Sequence, residues 1–363
     1  MTVEPRFSEI YEKLQQGDRF LSVWFAARCA LRALSVADFD SLDETVITEK
    51  DALAALRCII CSAVASNLRD DLENDFGENA RSASRVAGGI AEETPPPAGS
   101  AIDAAALSAQ AVFYAFPFDC GGSSALHARE AVPASNMLII RDLQNPMEWG
   151  PIWGSDSAVG IHAIVPQFMY QYIGTHDYWS FWRDWYQGFL DGKPLDWGLQ
   201  RRVATIPDAD WALGPEHIAK LIEEIRARFA LEQRISDLED ELRASAISRH
   251  SLGGNFPPEP IDPPGIAKEL LIIWEPLQDL KAELEADQPD ENRVRKVHAL
   301  LADALKAGVA WCARKACLAV DTTIITTIKW AIPAAGGAGY FALNSEKLSA
   351  VIEGVQTWLG TLP

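Results

Sequence analysis

The stretch Asp177-Tyr178-Trp179-Ser180-Phe181-Trp182-Arg183-Asp184-Trp185-Tyr186-Gln187-Gly188-Phe189-Leu190, halted by Asp191-Gly192, carries the densest structural signal in the chain. Trp182, Trp185 and Phe189 are spaced by three and four residues, which places them on one stripe of an α-helix. Trp179, Tyr186 and Leu190 widen that stripe. An apolar arc so wide needs burial on more than one side, so the segment is expected to be a core helix. It would clamp the loop before it to the helices after it, because indole and phenol rings supply much burial per residue. The functional alternative for the same residues is an aromatic platform for a peptide, a base or a sugar.

Helical punctuation continues downstream. A short helix is expected over 197–206 after Pro194, and Pro207-Asp208 starts another that ends near Leu213. Gly214-Pro215-Glu216 opens a long helix, with proline well placed in the first turn. Its apolar face is Ile218, Leu221, Ile222, Ile225, Phe229, Leu231, Ile235, Leu238 and Leu242. From Leu231 the spacing runs four, three, four, like a coiled coil but too short to define one. Residues 251–265 (SLGGNFPPEPIDPPG) hold five prolines and three glycines, a composition that stops a helix and favours extended backbone. Beyond this boundary the pattern predicts a helix over 266–286 bent at Pro276 and a long one over about 290–330. A flexible break at 332–339 follows, then a last helix starting at Asn344 or Ser345 and running to Leu359.

Upstream, Ile10, Leu14, Phe20, Leu21, Trp24, Phe25, Leu31 and Leu34 recur at helical spacing. Leu53, Leu56, Ile59, Ile60 and Val64 predict a second helix behind the acidic start Thr48-Glu49-Lys50-Asp51. Residues 67–100 turn polar and end in TPPPAGS, the composition of a loop or exposed linker. An Ala-rich helix over 104–118, a short helix near 124–130 and a Trp/Pro/Gly-rich packed loop over 146–174 complete the chain. No internal repeat and no convincing run of strands is visible. The fold class is therefore all-α. A multi-helical domain carrying the Trp-rich motif is expected at 1–250, a Pro/Gly-rich linker at 251–265 and a smaller helical C-terminal module at 266–363.

The 363 residues carry a net charge of -19, with 48% hydrophobic and 23% charged residues. That balance suits a globular protein and opposes wholesale disorder. So acidic a surface repels phosphate backbones, so no nucleic-acid partner is expected. The best basic grouping, Arg293, Arg295, Lys296, Lys306, Arg314 and Lys315, is interrupted by Asp290, Glu291 and Asp303 and reads as a solvated helix face. The N-terminal Met-Thr-Val-Glu-Pro-Arg lacks a basic region followed by an apolar run, so no secretory leader is expected. A cytoplasmic location and free thiols follow from that reading. No solidly apolar stretch of membrane-spanning length stands out. The nearest approach is 316–343, weakened by Asp321, Lys329 and four threonines.

The candidate chemistry is sparse. Cys58-x-x-Cys61 has the spacing of half a zinc site but sits in an apolar helical segment without a second ligand pair. Cys312 and Cys317 are spaced too widely for the usual half-site. Cys29, Cys58, Cys61, Cys312 and Cys317 read as small hydrophobes. Asp119-Cys120-Gly121-Gly122-Ser123-Ser124 admits a nucleophile reading, with His127, His162 or His176 as base. The glycine turn and following helix suit a reactive cysteine, while the acidic surroundings oppose a thiolate. Gly336-Gly337-Ala338-Gly339 lacks the strand and the Lys-Ser/Thr of a phosphate loop. No catalytic residue, metal site or cofactor is assigned.

Two segments carry a resemblance. Trp182-x-x-Trp185-Tyr186, Leu190-x-Gly192-x-Pro194-Leu195-Asp196-Trp197, Ile206-Pro207-x-x-x-Trp211-x-x-Gly214-Pro215 and the helix of Ile218, Leu221, Ile222 and Ile225 form the first. Gly253-Gly254-Asn255-Phe256-Pro257-Pro258-Glu259 forms the second and is similar to a Gly-His-Asn-Asn-Pro-Pro-Glu linker motif, from which it departs at Gly254 and Phe256. Together they resemble a set of uncharacterised bacterial helical proteins with an Ala-rich helical front and a variable C-terminal tail. The resemblance implies one architecture up to about residue 250 and supplies no chemistry. It suits a non-catalytic binding, adaptor or effector protein whose C-terminal helices self-associate or engage a membrane conditionally, in stress response or antiviral defence. The alternative is a cysteine hydrolase using Cys120 with a histidine base.

Overall fold

The computed structural model describes residues 12, 14–16, 19–36, 48–68, 75–94, 98–115, 176–250, 271–286, 288–318 and 337–362. All secondary structure among them is helical, as the periodicity predicts. The chain divides into two compact units, 1–222 and 223–363. The sequence reading put the whole helix from Pro215 in the first domain. In the structure all of it from Glu223 onward belongs to the second unit. The linker expected at 251–265 lies outside the described residues.

The first unit is built on α1 (Arg19–Val36), α2 (Glu49–Leu68), α3 (Asp75–Glu93) and α4 (Ala98–Ala115). α4 packs on α1, α2 and α3, and α2 packs on α1 and α3. Every residue of α1 from Ser22 to Leu34 is buried, so this helix is enclosed rather than amphipathic. Among them are Arg28 and Arg32, and the Arg28 guanidinium lies 5.3 Å from the Trp24 ring centroid. Thr48 caps α2: its backbone N–H and hydroxyl both donate to Asp51 Oδ2, at 2.7 and 2.9 Å. The bond from the Thr48 amide to the Asp51 carboxylate is one half of a capping box and fits the start signalled by Thr48-Glu49-Lys50-Asp51.

α2 is also long and apolar enough to cross a membrane by length and composition, a feature missed by the expectation that no such stretch existed. Most of it is buried within the first unit, and it packs on α1, α3 and α4. α3 is a second correction, since 67–100 was expected to be loop or linker. Phe76, Ala80, Ala83 and Ala87 repeat at helical spacing and are all buried. The face was overlooked because small residues build it, and Ala stripes allow α3 and α4 to pack closely.

The aromatic segment forms a 3-10 turn (Asp177–Trp179) leading into α5 (Ser180–Leu190). α5 ends in a Schellman arrangement: Lys193 N–H donates to Gly188 O at 2.7 Å and Gly192 N–H to Phe189 O at 3.3 Å. Gly192 takes the left-handed conformation this cap needs, φ 67°. α6 (Trp197–Ala204) is capped by Asp196, which accepts from the Gly198 and Leu199 amides, and it packs on α2. α7 (Asp208–Trp211) is a single turn. Gly214 then leads into α8 (Pro215–His250), a helix of 36 residues.

The second unit comprises the latter part of α8 with α9 (Leu271–Glu285), α10 (Glu291–Leu318) and α11 (Gly337–Leu359). Leu231, Ile235, Leu238 and Leu242 of α8 meet Ile273, Leu277, Leu280 and Leu284 of α9 in one core. Val294, Val297 and Leu301 of α10 and Leu348, Val351, Val355 and Trp358 of α11 complete it. Polar links frame this core. Buried Glu239 accepts from Gln278 Nε2 at 2.7 Å and from Lys281, Lys347 donates to Glu241 at 2.7 Å, and Arg234 donates to Ala350 O at 2.8 Å. α9 continues through Pro276. α11 begins at Gly337, upstream of the Asn344 or Ser345 start expected from capping preference. Glycine costs roughly 1 kcal/mol per residue in a helix, which is less than the gain of extending a helix already anchored by packing.

Candidate functional site

The aromatic cluster is core. Trp182 and Trp185 are 1% and 0% exposed, and their rings meet edge to face with centroids 5.5 Å apart. Phe189 continues the stack 5.1 Å from Trp185, and Trp211 lies 6.4 Å from Trp182. Three polar atoms of the cluster are bonded internally. Trp185 Nε1 donates to Gln200 Oε1 at 2.8 Å, Tyr186 OH to Leu31 O at 3.1 Å and Trp211 Nε1 to Ile206 O at 2.9 Å. An indole with both faces covered offers no platform to a ligand, so the cluster is a clamp.

Cys58 and Cys61 are fully buried in α2. Burial pushes the Cys58 thiol far up, reinforced by Cys61 and only partly opposed by Arg57. Burial likewise pushes Cys61 up to about 11, with Arg57 opposing and Asp208 adding to the rise. Burial of this kind opposes the thiolate that a nucleophile needs. Among the described residues no group of three His, Cys, Asp or Glu could hold a metal ion. Cys120, His127 and His162 lie outside the described residues. His176, the remaining candidate base, is exposed and stacks on Tyr178 with centroids 4.9 Å apart. Tyr178 OH donates to Glu49 Oε1 at 2.6 Å. Desolvation first, then Glu49, pushes its pKa up to about 12. Of the apolar C-terminal stretch, the backbone to Leu318 belongs to α10, while 319–336 lies outside the described residues.

What the structure brings together is a cleft that the sequence did not disclose. It has a volume of about 300 Å³, and residues of α2, α3 and α7 line it. Arg57, 5% exposed, pairs with Asp208, whose side chain is 51% exposed. The Arg57 guanidinium also lies 5.1 Å from the centroid of the Trp211 ring, a cation–π contact. Ser82 Oγ donates to Asp208 Oδ2. Desolvation works to raise the Asp208 pKa, but the Ser82 and Arg57 hydrogen bonds and the Arg57 charge outweigh it and hold the carboxyl below the ordinary aspartate value. Lys50 stands at the rim with its stem over Gly214, where an added Cβ would be 3.2 Å from Lys50 Cε. Leu53, Ala83, Val86 and Ile90 supply an apolar lining.

The signals for this cleft were faint. Arg57 is the lone charge in the apolar run from Ala52 to Ser66, and Pro207-Asp208 was read only as a helix start. Their pairing across 151 residues has no local signature. Comparison with protein-family models, with curated proteins and with solved structures finds no match to this chain in any of the three.

Proposed function

We propose that this protein is a binding or adaptor protein whose C-terminal helices act by self-association or by conditional contact with a membrane, in bacterial stress response or antiviral defence. The observation that supports this reading is the construction of α8. Its early residues Ile218 and Ile222 are buried in the first unit, while Leu231, Ile235, Leu238 and Leu242 are core of the second. Energetic coupling needs an element whose packing both sites can bias, and one helix serving two cores meets that requirement. A partner acting on the front of α8 therefore bears on an element from which the second unit is built.

The responding segment is taken to be the apolar sequence over 309–343. Asp321 and Lys329 make permanent insertion costly, at roughly 2.5–3.5 kcal/mol for each charge at the centre of a spanning helix. They lie eight residues apart in the sequence, a spacing that on an α-helix is a little over two turns. This favours a hidden surface that emerges on a trigger over a standing anchor. The test combines light scattering of the full chain from about 1 to 100 μM with flotation on anionic vesicles. A mass that rises with concentration, or protein that floats with lipid, is the expected result. A chain that stays monomeric and ignores vesicles under all conditions removes the proposal.

A further inference from the structure

We infer that the cleft over Arg57 is a binding site for a small amphipathic carboxylate, whatever the C-terminal helices do. The carboxylate is held by Lys50 and the guanidinium edge of Arg57, with the apolar body of the ligand against Leu53, Val86 and Ile90. Four observations converge on this assignment. The Arg57 side chain is 5% exposed, and its Nε is buried without a hydrogen-bond partner among the described residues. An orphaned donor on a buried charge is costly and is rare in a finished core. Arg57 nevertheless lines the cleft, so its charge, rather than the enclosed Nε, acts on an anion bound there. Lys50, at the rim, forms no ion pair with any described residue, so it is the unspent cation of the site.

The two carboxylates nearby already have donors. Asp51 takes both hydrogen bonds from Thr48, and Asp208 is held between Arg57 and Ser82. Arg57 is paired with Asp208 and Asp51 accepts from Thr48, so Lys50 is the charge left to meet a monoanion, whereas a dianionic phosphate overloads a site that already holds two acids. An amine would meet Lys50 as a like charge. The rest of the lining is apolar, and Val86 is 53% exposed, a large aliphatic side chain left open to solvent at the cleft. A volume of about 300 Å³ stands at the lower end of ligand sites and sets the scale at an aryl or branched-chain carboxylate.

Isothermal titration calorimetry on the full chain, with benzoate and isovalerate as probes, tests the inference. Benzamide and benzylamine serve as the neutral and cationic counterparts of benzoate. Saturable binding of a carboxylate is expected, weakened about tenfold on going to benzamide and about tenfold by Lys50→Met. Val86→Asp, at an exposed position, should abolish it by placing a like charge at the rim. Both variants change surface residues, and unchanged melting temperatures would show that they fold as the parent does. The inference is overturned if neither carboxylate gives saturable heat, if benzylamine binds as tightly as benzoate, or if K50M and V86D bind like the parent.

Discussion

At the residue scale the contrast between Trp185 and Arg57 separates what spacing can carry from what it cannot. The burial of Trp185 follows from its three- and four-residue spacing with Trp182 and Phe189. The bond from Trp185 Nε1 to Gln200 does not, although Gln200 is buried and also donates to Leu195 O at 2.7 Å. Gln200→Leu therefore strands one indole N–H and one carbonyl, each costing roughly 1–3 kcal/mol. Trp185→Ala should cost about 3–5 kcal/mol, as for other large-to-small core changes. Urea melts read by circular dichroism check both, and a variant as stable as the parent would show that the ring is not core. Asp208 supplies a pH signature. Its folded-state pKa is lowered, so the stabilisation is present above the unfolded value of about 3.9 and is lost as pH falls through the folded value. Asp208→Asn should be less stable than the parent at pH 7, with the gap closing in acid. Thermal melts at pH 7 and pH 3 read the difference. A gap that persists at low pH would mean that ionisation of Asp208 is not the source.

At the scale of elements, helices announced by large apolar side chains were legible, and those built otherwise were not. α5 and α8 follow from Trp, Ile and Leu at helical spacing, from the Asp191-Gly192 stop and from Pro215 in a first turn. α3 was hidden because its buried face is Phe76 and three alanines, which look like polar loop when only large side chains count. The early start of α11 was hidden because glycines mask a helix whose buried Trp358 lies twenty-one residues on. The stop of α5 is the most testable junction. A Cβ at Gly188 would stand 2.8 Å from Lys193 O, so the returning chain has no room for alanine. Gly192→Ala places a side chain in a left-handed conformation costing about 1–2 kcal/mol. Both variants should lower the melting temperature, and Gly188→Ala should also weaken protection of the Lys193 amide in hydrogen exchange. Unchanged protection there would mean that the close approach is not maintained in solution.

At the scale of the whole molecule, the division inside α8 decides which fragments can report on function. A C-terminal fragment cut at the Pro-rich boundary, 266–363, retains α9, α10 and α11 but loses Leu231, Ile235, Leu238 and Leu242. Those are four of the sixteen buried apolar residues of the second core, and removing even one such side chain costs roughly 2–5 kcal/mol. Four together exceed or match the roughly 5–15 kcal/mol by which a domain is held folded. The fragment also opens the α8 side of the core shared by Leu348, Val351 and Val355, so it would aggregate or bind lipid through an exposed core. Such behaviour would imitate an effector surface without revealing one. A fragment of 223–363 keeps every core residue together with Glu239, Glu241 and Arg234, the polar links to α9 and α11. It should unfold cooperatively on heating and show dispersed amide resonances, whereas 266–363 should show a broad, non-cooperative transition. Equal cooperativity and equal melting temperature in the two fragments would mean that α8 is not part of the second unit's core. The coupling through α8 on which the proposed function rests would then have no structural carrier.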